Sequence, residues 1–266
     1  MITWNPPISI GPLRFYALFW VLGLAAAYLI VQKLYKDEKI KDELFEPLFF
    51  YCFFGILLGA RLGHCIFYEP AYYFHDLHRF IEMWLPIRFT PSGVRLIGYQ
   101  GLASHGGTLG LMIALWLYVR KYKVPLWTVL DNIAIATPVT ACCIRLGNLM
   151  NSEIIGRPTG ADWGFIFTQV DMLPRHPAQL YEAISYAVFG LIGWWLYKRM
   201  PRKVGTGFFF GYCLTNIFTF RFFVEFCKEV QSDFEVGMTL DMGQLLSIPF
   251  VALGVWCMVR SFKSKR

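Results

Sequence analysis

Hydrophobic residues in this sequence come in long, nearly unbroken runs rather than in the alternating or one-faced patterns of a water-soluble chain. Seven runs stand out, at residues 15–31, 44–67, 101–119, 125–144, 178–197, 205–226 and 242–259. Each is near the roughly twenty residues that an α-helix needs to cross the apolar part of a bilayer. The charges between the runs are distributed asymmetrically. Lys33, Lys36, Lys39 and Lys41 follow the first run; Arg120, Lys121 and Lys123 follow the third; Lys198, Arg199, Arg202 and Lys203 follow the fifth; Arg260, Lys263, Lys265 and Arg266 follow the seventh. With seven crossings all four clusters fall on one side, and because basic loops stay in the cytoplasm, the N-terminus is expected outside and the C-terminus inside. One helix more or fewer would scatter the clusters over both faces, so charge supports seven independently of hydropathy.

The opposite side carries the longer connections. Residues 68–100 hold Tyr68, Tyr72, Tyr73, Phe74, Phe80 and Trp84 among scattered charges, with Pro86 and Pro91 breaking the run. This predicts an interfacial segment whose rings sit at headgroup level. Residues 151–177 are polar and rich in Gly and Pro. The start, MITWNPPISIGPL, has neither a basic stretch ahead of an apolar core nor a small-residue cleavage site, so the first run is expected to be retained as a span. No internal repeat is visible. The expected fold class is therefore all-α: a polytopic membrane protein with about seven transmembrane helices, interfacial segments on the periplasmic side, and a single integral membrane domain over residues 1–266.

Composition agrees with that picture and removes other classes. At 56% hydrophobic and 16% charged, the chain is too apolar for an ordinary soluble domain. Its net charge of +7 comes from short clusters between apolar runs, which suits a bilayer face with anionic lipid and not nucleic acid. Seven cysteines, mostly inside apolar runs and without CxxC spacing, argue against a disulfide framework and against a zinc site. No metal or other cofactor is expected.

The densest chemistry lies at the end of the fourth run, where residues 145–157 read RLGNLMNSEIIGR. An ionisable side chain at bilayer depth costs about 2.5–3.5 kcal/mol even on lenient insertion scales. An unpaired amide or hydroxyl there adds a further penalty. Arg145, Asn148, Asn151, Ser152 and Glu153 within nine residues therefore mark a polar substrate site near a membrane surface. Gly147 and Gly156 loosen the backbone around them.

These residues resemble the signature of the prolipoprotein diacylglyceryl transferases. Arg145, Gly147, Asn148, Asn151, Glu153 and Gly156 match it, with Ile144 where a leading Gly is usual and Leu149 where Phe is usual. Further stretches resemble the same family in the same order: GPLRFYALF near the start, GARLG at 59–63, SHGGTLG at 104–110, PRHPAQLYEA at 174–183, RFFVEF at 221–226 and MGQLLSIP at 242–249. The resemblance covers nearly the whole chain. It implies transfer of the diacylglyceryl group of phosphatidylglycerol to the thiol of a lipobox cysteine in a prolipoprotein signal peptide, with release of glycerol phosphate. It also implies a bacterial inner-membrane location with the active site toward the outer face.

That reaction makes two physical demands. A thiol must lose its proton, and free Cys, with a pKa near 8.5, is short of thiolate by roughly 2 kcal/mol at neutral pH. Negative charge must also be held on the departing phosphate. Arg145 is the first candidate for the phosphate, since a guanidinium offers two parallel hydrogen bonds and stays charged at any depth; pairing with Glu153 or a loop carbonyl is its structural alternative. Asn148 and Asn151 can bind headgroup hydroxyls or hold the turn, and Glu153 can orient an Arg or bind glycerol hydroxyls. Arg221 and Glu225 share a helical face at i, i+4 and can neutralise each other. With the resemblance, Arg221 becomes a second phosphate or product contact and Glu225 the group that fixes its rotamer. A Tyr that the family commonly has four residues before that Arg is Ile217 here.

His105 precedes Gly106 and Gly107, which let a substrate approach the backbone. An imidazole suits proton transfer near neutrality, so His105 is the candidate base, with headgroup binding as its competing role. Arg61 is expected to pair with a headgroup or with an inner carboxylate such as Asp131. Tyr16 is a hydroxyl contact or an interfacial anchor. Arg175, His176, Tyr181 and Glu182 are expected to be mostly structural, with Gln179 the best substrate contact among their neighbours. A small-solute transporter is the alternative from another class, but it should show interrupted helices in both halves and an internal repeat. An acyltransferase would leave RLGNLMNSE unexplained.

Overall fold

The structure, a computed structural model, describes residues 1–7, 9–10, 13–96, 101–229 and 239–263. Lys265 and Arg266 of the last basic cluster, Gly11 and Pro12 of the first motif and residues 97–100 lie outside the described residues. Nine α-helices occur among the described residues: α1 (Phe15–Asp37), α2 (Phe45–Phe67), α3 (Pro70–Tyr73), α4 (Leu77–Trp84), α5 (Ser104–Tyr122), α6 (Leu126–Met150), α7 (Ala178–Arg199), α8 (Phe208–Val224) and α9 (Met242–Lys263). The seven long ones coincide with the seven apolar runs. Four helical stretches, Phe15–Asp37, Asp42–Phe67, Leu126–Met150 and Met242–Lys263, are long and apolar enough to cross a membrane. The remaining three, α5, α7 and α8, have 19, 22 and 17 residues.

Burial is inverted relative to a soluble protein. Val21, Leu29, Met112 and Leu191 are more than 60% exposed, whereas Asp131, Asn132, Gln179 and Glu182 are fully buried. An apolar exterior around a polar interior needs lipid as its solvent. The chain is an all-α polytopic membrane protein.

Contacts gather it into two compact units, residues 1–38 with 127–266, and residues 39–126. In the second unit α2 packs closely on α5. Gly55, Gly59 and Gly63 recur every fourth residue on α2 and meet Gly106 and Gly110 of α5. A Cβ on Gly63 would come 2.8 Å from the Gly106 Cα, and one on Gly110 would come 2.9 Å from the Gly59 Cα. Where lipid removes the hydrophobic drive between helices, such close backbone approach supplies dispersion contact instead. The predicted interfacial segment becomes α3, the strongly amphipathic α4, and an antiparallel hairpin, β4 (Ile87–Thr90) with β5 (Gly93–Leu96). Asp76 caps α4, its Oδ1 accepting the Arg79 N–H at 2.9 Å.

In the first unit α8 packs on α9 and on α7, with Gly211 of α8 against Gly254 of α9. The carboxylate of Asp131 on α6 accepts the N–H groups of Gly205, Gly207 and Phe210 at 2.8, 2.9 and 2.9 Å, satisfying donors that the N-terminus of α8 would otherwise leave orphaned. The polar connection at 151–177 contains two short strands, β6 (Phe165–Phe167) and β7 (Pro174–Arg175). β6 pairs in parallel with β1 (Ile2–Trp4) and antiparallel with β7. Ser9–Ile10 (β2) and Leu13–Arg14 (β3) form a two-residue ladder just before α1.

Gly110→Val should lower the thermal unfolding temperature in detergent by several degrees, in line with about 1–3 kcal/mol for overpacking. Gly190→Ala, whose added Cβ would have its nearest neighbour at 3.4 Å, should unfold close to wild type. An equal drop in both variants would contradict close packing of α2 on α5.

Candidate active site

The C-terminal end of α6 carries Arg145 and Asn148 on successive turns, and the chain then bends sharply, with Ser152 and Ile154 at positive φ (52° and 56°). The bend is held by polar contacts. Asn148 and Asn151 donate from their Nδ2 atoms to the two Glu153 carboxylate oxygens, at 3.2 and 3.1 Å. The Gln179 amide donates to the Glu153 carbonyl. The Trp4 indole donates to the Leu149 carbonyl at 2.9 Å, closing the end of α6. Gly156 lies where a Cβ would come 2.5 Å from the His176 Cβ and 2.6 Å from the Cys227 carbonyl, so no larger residue fits without displacing backbone. Tyr16 of α1 packs on Gly147, where an added Cβ would lie 3.1 Å from the Tyr16 ring.

The Arg145 guanidinium pairs with Glu182 of α7, Nε to Oε2 at 3.0 Å, and its Nη1 donates to Asn148 Oδ1 at 3.3 Å. Glu182 is fully buried. Its Oε1 accepts from the Tyr186 hydroxyl at 3.0 Å and from the Lys228 ammonium at 3.3 Å. Lys228 also contacts Glu225 Oε2 at 2.8 Å. A bridge between Gly156 and Lys228, and an Arg157 Nε bond to the Lys228 carbonyl at 2.8 Å, tie this segment to the bend after α6.

Several expectations change. Arg145 pairs with Glu182, not Glu153, because the Glu153 oxygens are taken by the two asparagines. Glu225 does not hold Arg221: α8 stops at Val224, Glu225 enters the 3-10 turn Glu225–Cys227, and its carboxylate goes to Lys228. Among the described residues Arg221 makes no hydrogen bond or ion pair, nor does the Arg145 Nη2 atom. Gln179 is fully buried and faces the bend. Glu182 and Lys228, which hydropathy marks only as stray charges, are central here; α7's apolar run interrupted by a carboxylate was the available signal.

The second unit holds the other two candidates. Arg61 is buried, and its Nε and Nη2 atoms donate to the Met83 and Glu82 carbonyls at 3.1 and 2.7 Å, closing the end of α4. The Asp131 carboxylate serves the N-terminus of α8 in the first unit. His105 sits in the first turn of α5, exposed, with no hydrogen bond among the described residues.

The polar connection itself is anchored at Arg175, which reaches Asp171, Glu229 at 2.7 Å and the Gly156 carbonyl at 3.1 Å. Hydrogen bonds from Arg175 hold the Asp171 carboxyl below the usual carboxylate range. That contact stabilises the loop above the ordinary Asp pKa and is lost as pH falls through the lowered one.

These features define an integral membrane protein whose interior concentrates guanidinium, ammonium and carboxylate groups at the ends of α6, α7 and α8. The family model for prolipoprotein diacylglyceryl transferase matches residues 7–260, and the chain belongs to that family. It is 58% identical to a phosphatidylglycerol–prolipoprotein diacylglyceryl transferase of Bacteroides fragilis, over 99% of this chain and 96% of the relative. Relatives of the same name from Porphyromonas gingivalis and Tolumonas auensis are 42% and 40% identical, covering 99% and 100% of this chain and 95% and 99% of their own lengths.

Removing one partner of a buried ion pair leaves an uncompensated charge, at a cost of about 3–5 kcal/mol. Glu182→Gln should therefore lower the unfolding temperature clearly, and Glu182→Gln with Lys228→Met should recover part of the loss. Wild-type unfolding of Glu182→Gln in detergent would contradict the buried pairing.

Proposed function

We propose that this protein transfers the diacylglyceryl group of phosphatidylglycerol to the thiol of a lipobox cysteine in a prolipoprotein signal peptide. The thiolate sulfur attacks the glyceryl carbon, the carbon–oxygen bond to phosphate breaks, and the electron pair leaves with glycerol phosphate. The observation that carries the reading is the buried polar network at the end of α6, where Glu182 and Asn148 hold Arg145 and leave its Nη2 without a partner among the described residues; Arg221 likewise has none among them. Two guanidinium groups with spare donors in an apolar surround suit a phosphate that gains charge as it departs. Glu182, Lys228 and Asn148 fix the direction of Arg145, so little reorganisation accompanies the reaction.

Asn148, Asn151 and Glu153 with Gly156 line the bend and serve the glycerol headgroup, and Tyr16 adds a hydroxyl at the outer end of α1. Gln179 and Arg61 act by positioning the elements that they bond. Glu225 acts through Lys228. His105 is the proton acceptor for the thiol; its exposed imidazole, unengaged among the described residues, supports that role. The seven long helices all cross the bilayer of a bacterial inner membrane, with the N-terminus outside, the C-terminus in the cytoplasm and the reaction at the outer face. The four basic clusters support this orientation. A transporter gains no support from the family match.

Protein reconstituted with phosphatidylglycerol and a lipobox peptide should form a thioether-linked diacylglyceryl peptide. Absence of that product from folded protein would overturn the assignment. Arg145→Lys should lose activity by a factor of about 100 or more, because charge without the planar fork serves poorly. Activity near wild type in that variant would remove Arg145 from the phosphate. His105→Gln should change the pH dependence of the rate relative to wild type; an unchanged pH profile would reassign His105 to headgroup binding.

A further inference from the structure

Directly opposed residues of an antiparallel ladder sit about 4.5–5.5 Å apart, and like charges at such a pair repel. In the β4–β5 hairpin Arg88 faces Arg95, and both side chains are exposed. Among the described residues no carboxylate pairs with either. Glu82 is buried and taken by the Tyr72 hydroxyl at 2.8 Å, the Phe89 N–H at 2.6 Å and Arg79 at 3.7 Å. Asp76 caps α4 and meets His75 at 3.3 Å, and Glu69 faces His64 at 3.7 Å. Residues 97–100, which follow β5, contain no acid. Among the described residues Arg88 and Arg95 make no hydrogen bond or ion pair.

The arrangement adds a third guanidinium. Arg79 lies 4.2 Å from the Tyr72 ring centroid and Arg88 lies 5.8 Å from it. Phe74, Leu77, Phe80 and Trp84 of the preceding segment are exposed, as are Val94 and Leu96, which the pleat turns to the hairpin face opposite Arg88 and Arg95, Leu96 at 80%. Rings and aliphatic chains in that position would be poorly solvated by water. A hairpin with unpaired cations on one face and exposed apolar side chains on the other matches the boundary between headgroups and acyl chains.

We propose that α4 and the β4–β5 hairpin form a binding surface for anionic lipid, in which Arg88 and Arg95 jointly hold a phosphate-bearing headgroup while the flanking apolar side chains enter the acyl boundary. A lipid fits better than a free anion because only a lipid also covers those apolar side chains. The inference depends on residence in a membrane and not on the transfer reaction, and its test reads no turnover.

Hydrogen exchange across residues 87–96 can be followed in the full-length protein in nanodiscs of phosphatidylcholine alone or mixed with phosphatidylserine, an anionic lipid other than phosphatidylglycerol. Exchange should slow by about tenfold or more in the anionic discs, and the slowing should fade with added salt. R88Q/R95Q should abolish the slowing, and R88K/R95K should keep most of it. Equal exchange of wild type in both kinds of disc, or slowing that survives R88Q/R95Q, would overturn the proposal. If R88Q/R95Q loosens the hairpin in phosphatidylcholine as well, the lysine pair decides, and loss of slowing there would also overturn it. The same slowing produced by inorganic phosphate in detergent would point to a free-anion site instead and would overturn the lipid assignment.

Discussion

A carboxylate shut away from water needs cations and hydrogen-bond donors around it, and Glu182 is such a group. Arg145, Lys228 and Tyr186 surround it. Much of the local architecture follows from that requirement. Lys228 must return toward α7, which the turn after α8 allows, and the bridge from Lys228 to Gly156 draws the bend after α6 to the same place. Arg145 cannot swing freely, since its Nε is committed to Glu182 and its Nη1 to Asn148. Its remaining donors are therefore held in a fixed direction, which electrostatic stabilisation of a developing charge requires.

The rest of each unit solves the problem of associating helices in lipid. Apolar faces gain little from one another when the surroundings are equally apolar, so close approach and internal polar contacts have to serve. Gly55, Gly59, Gly63, Gly106 and Gly110 provide the first in the pair α2–α5. Asp131 provides the second at the start of α8, where one carboxylate satisfies three backbone donors.

The seven long helices were legible because a membrane helix declares itself by length and apolarity, and the structure shifts only their ends. α1 runs on to Asp37 because Gln32, Lys33 and Lys36 are good helix formers even where they are poor membrane residues. The short strands were not legible: two- and three-residue ladders such as β6–β7 are made by backbone partners far apart in sequence. Pairing among the charges was misjudged for a related reason. Spacing suggested Arg221 with Glu225, a local pair, whereas the partners of Glu182 lie 37 residues before it and 46 residues after it. The signature run marked the end of α6, where Arg145, Asn148, Asn151 and Glu153 do join one polar network, because so many polar groups at one helix end need partners in a membrane.

The central physical claim is that the guanidinium groups of Arg145 and Arg221 hold a lipid phosphate. Solid-state NMR recoupling between arginine side-chain nitrogen and lipid phosphorus, in protein reconstituted with phosphatidylglycerol, measures that contact directly. Guanidinium signals should dephase against phosphorus, and the component missing from an Arg145→Ala, Arg221→Ala variant should identify these two residues. Dephasing that is the same in wild type and in that variant would contradict the claim.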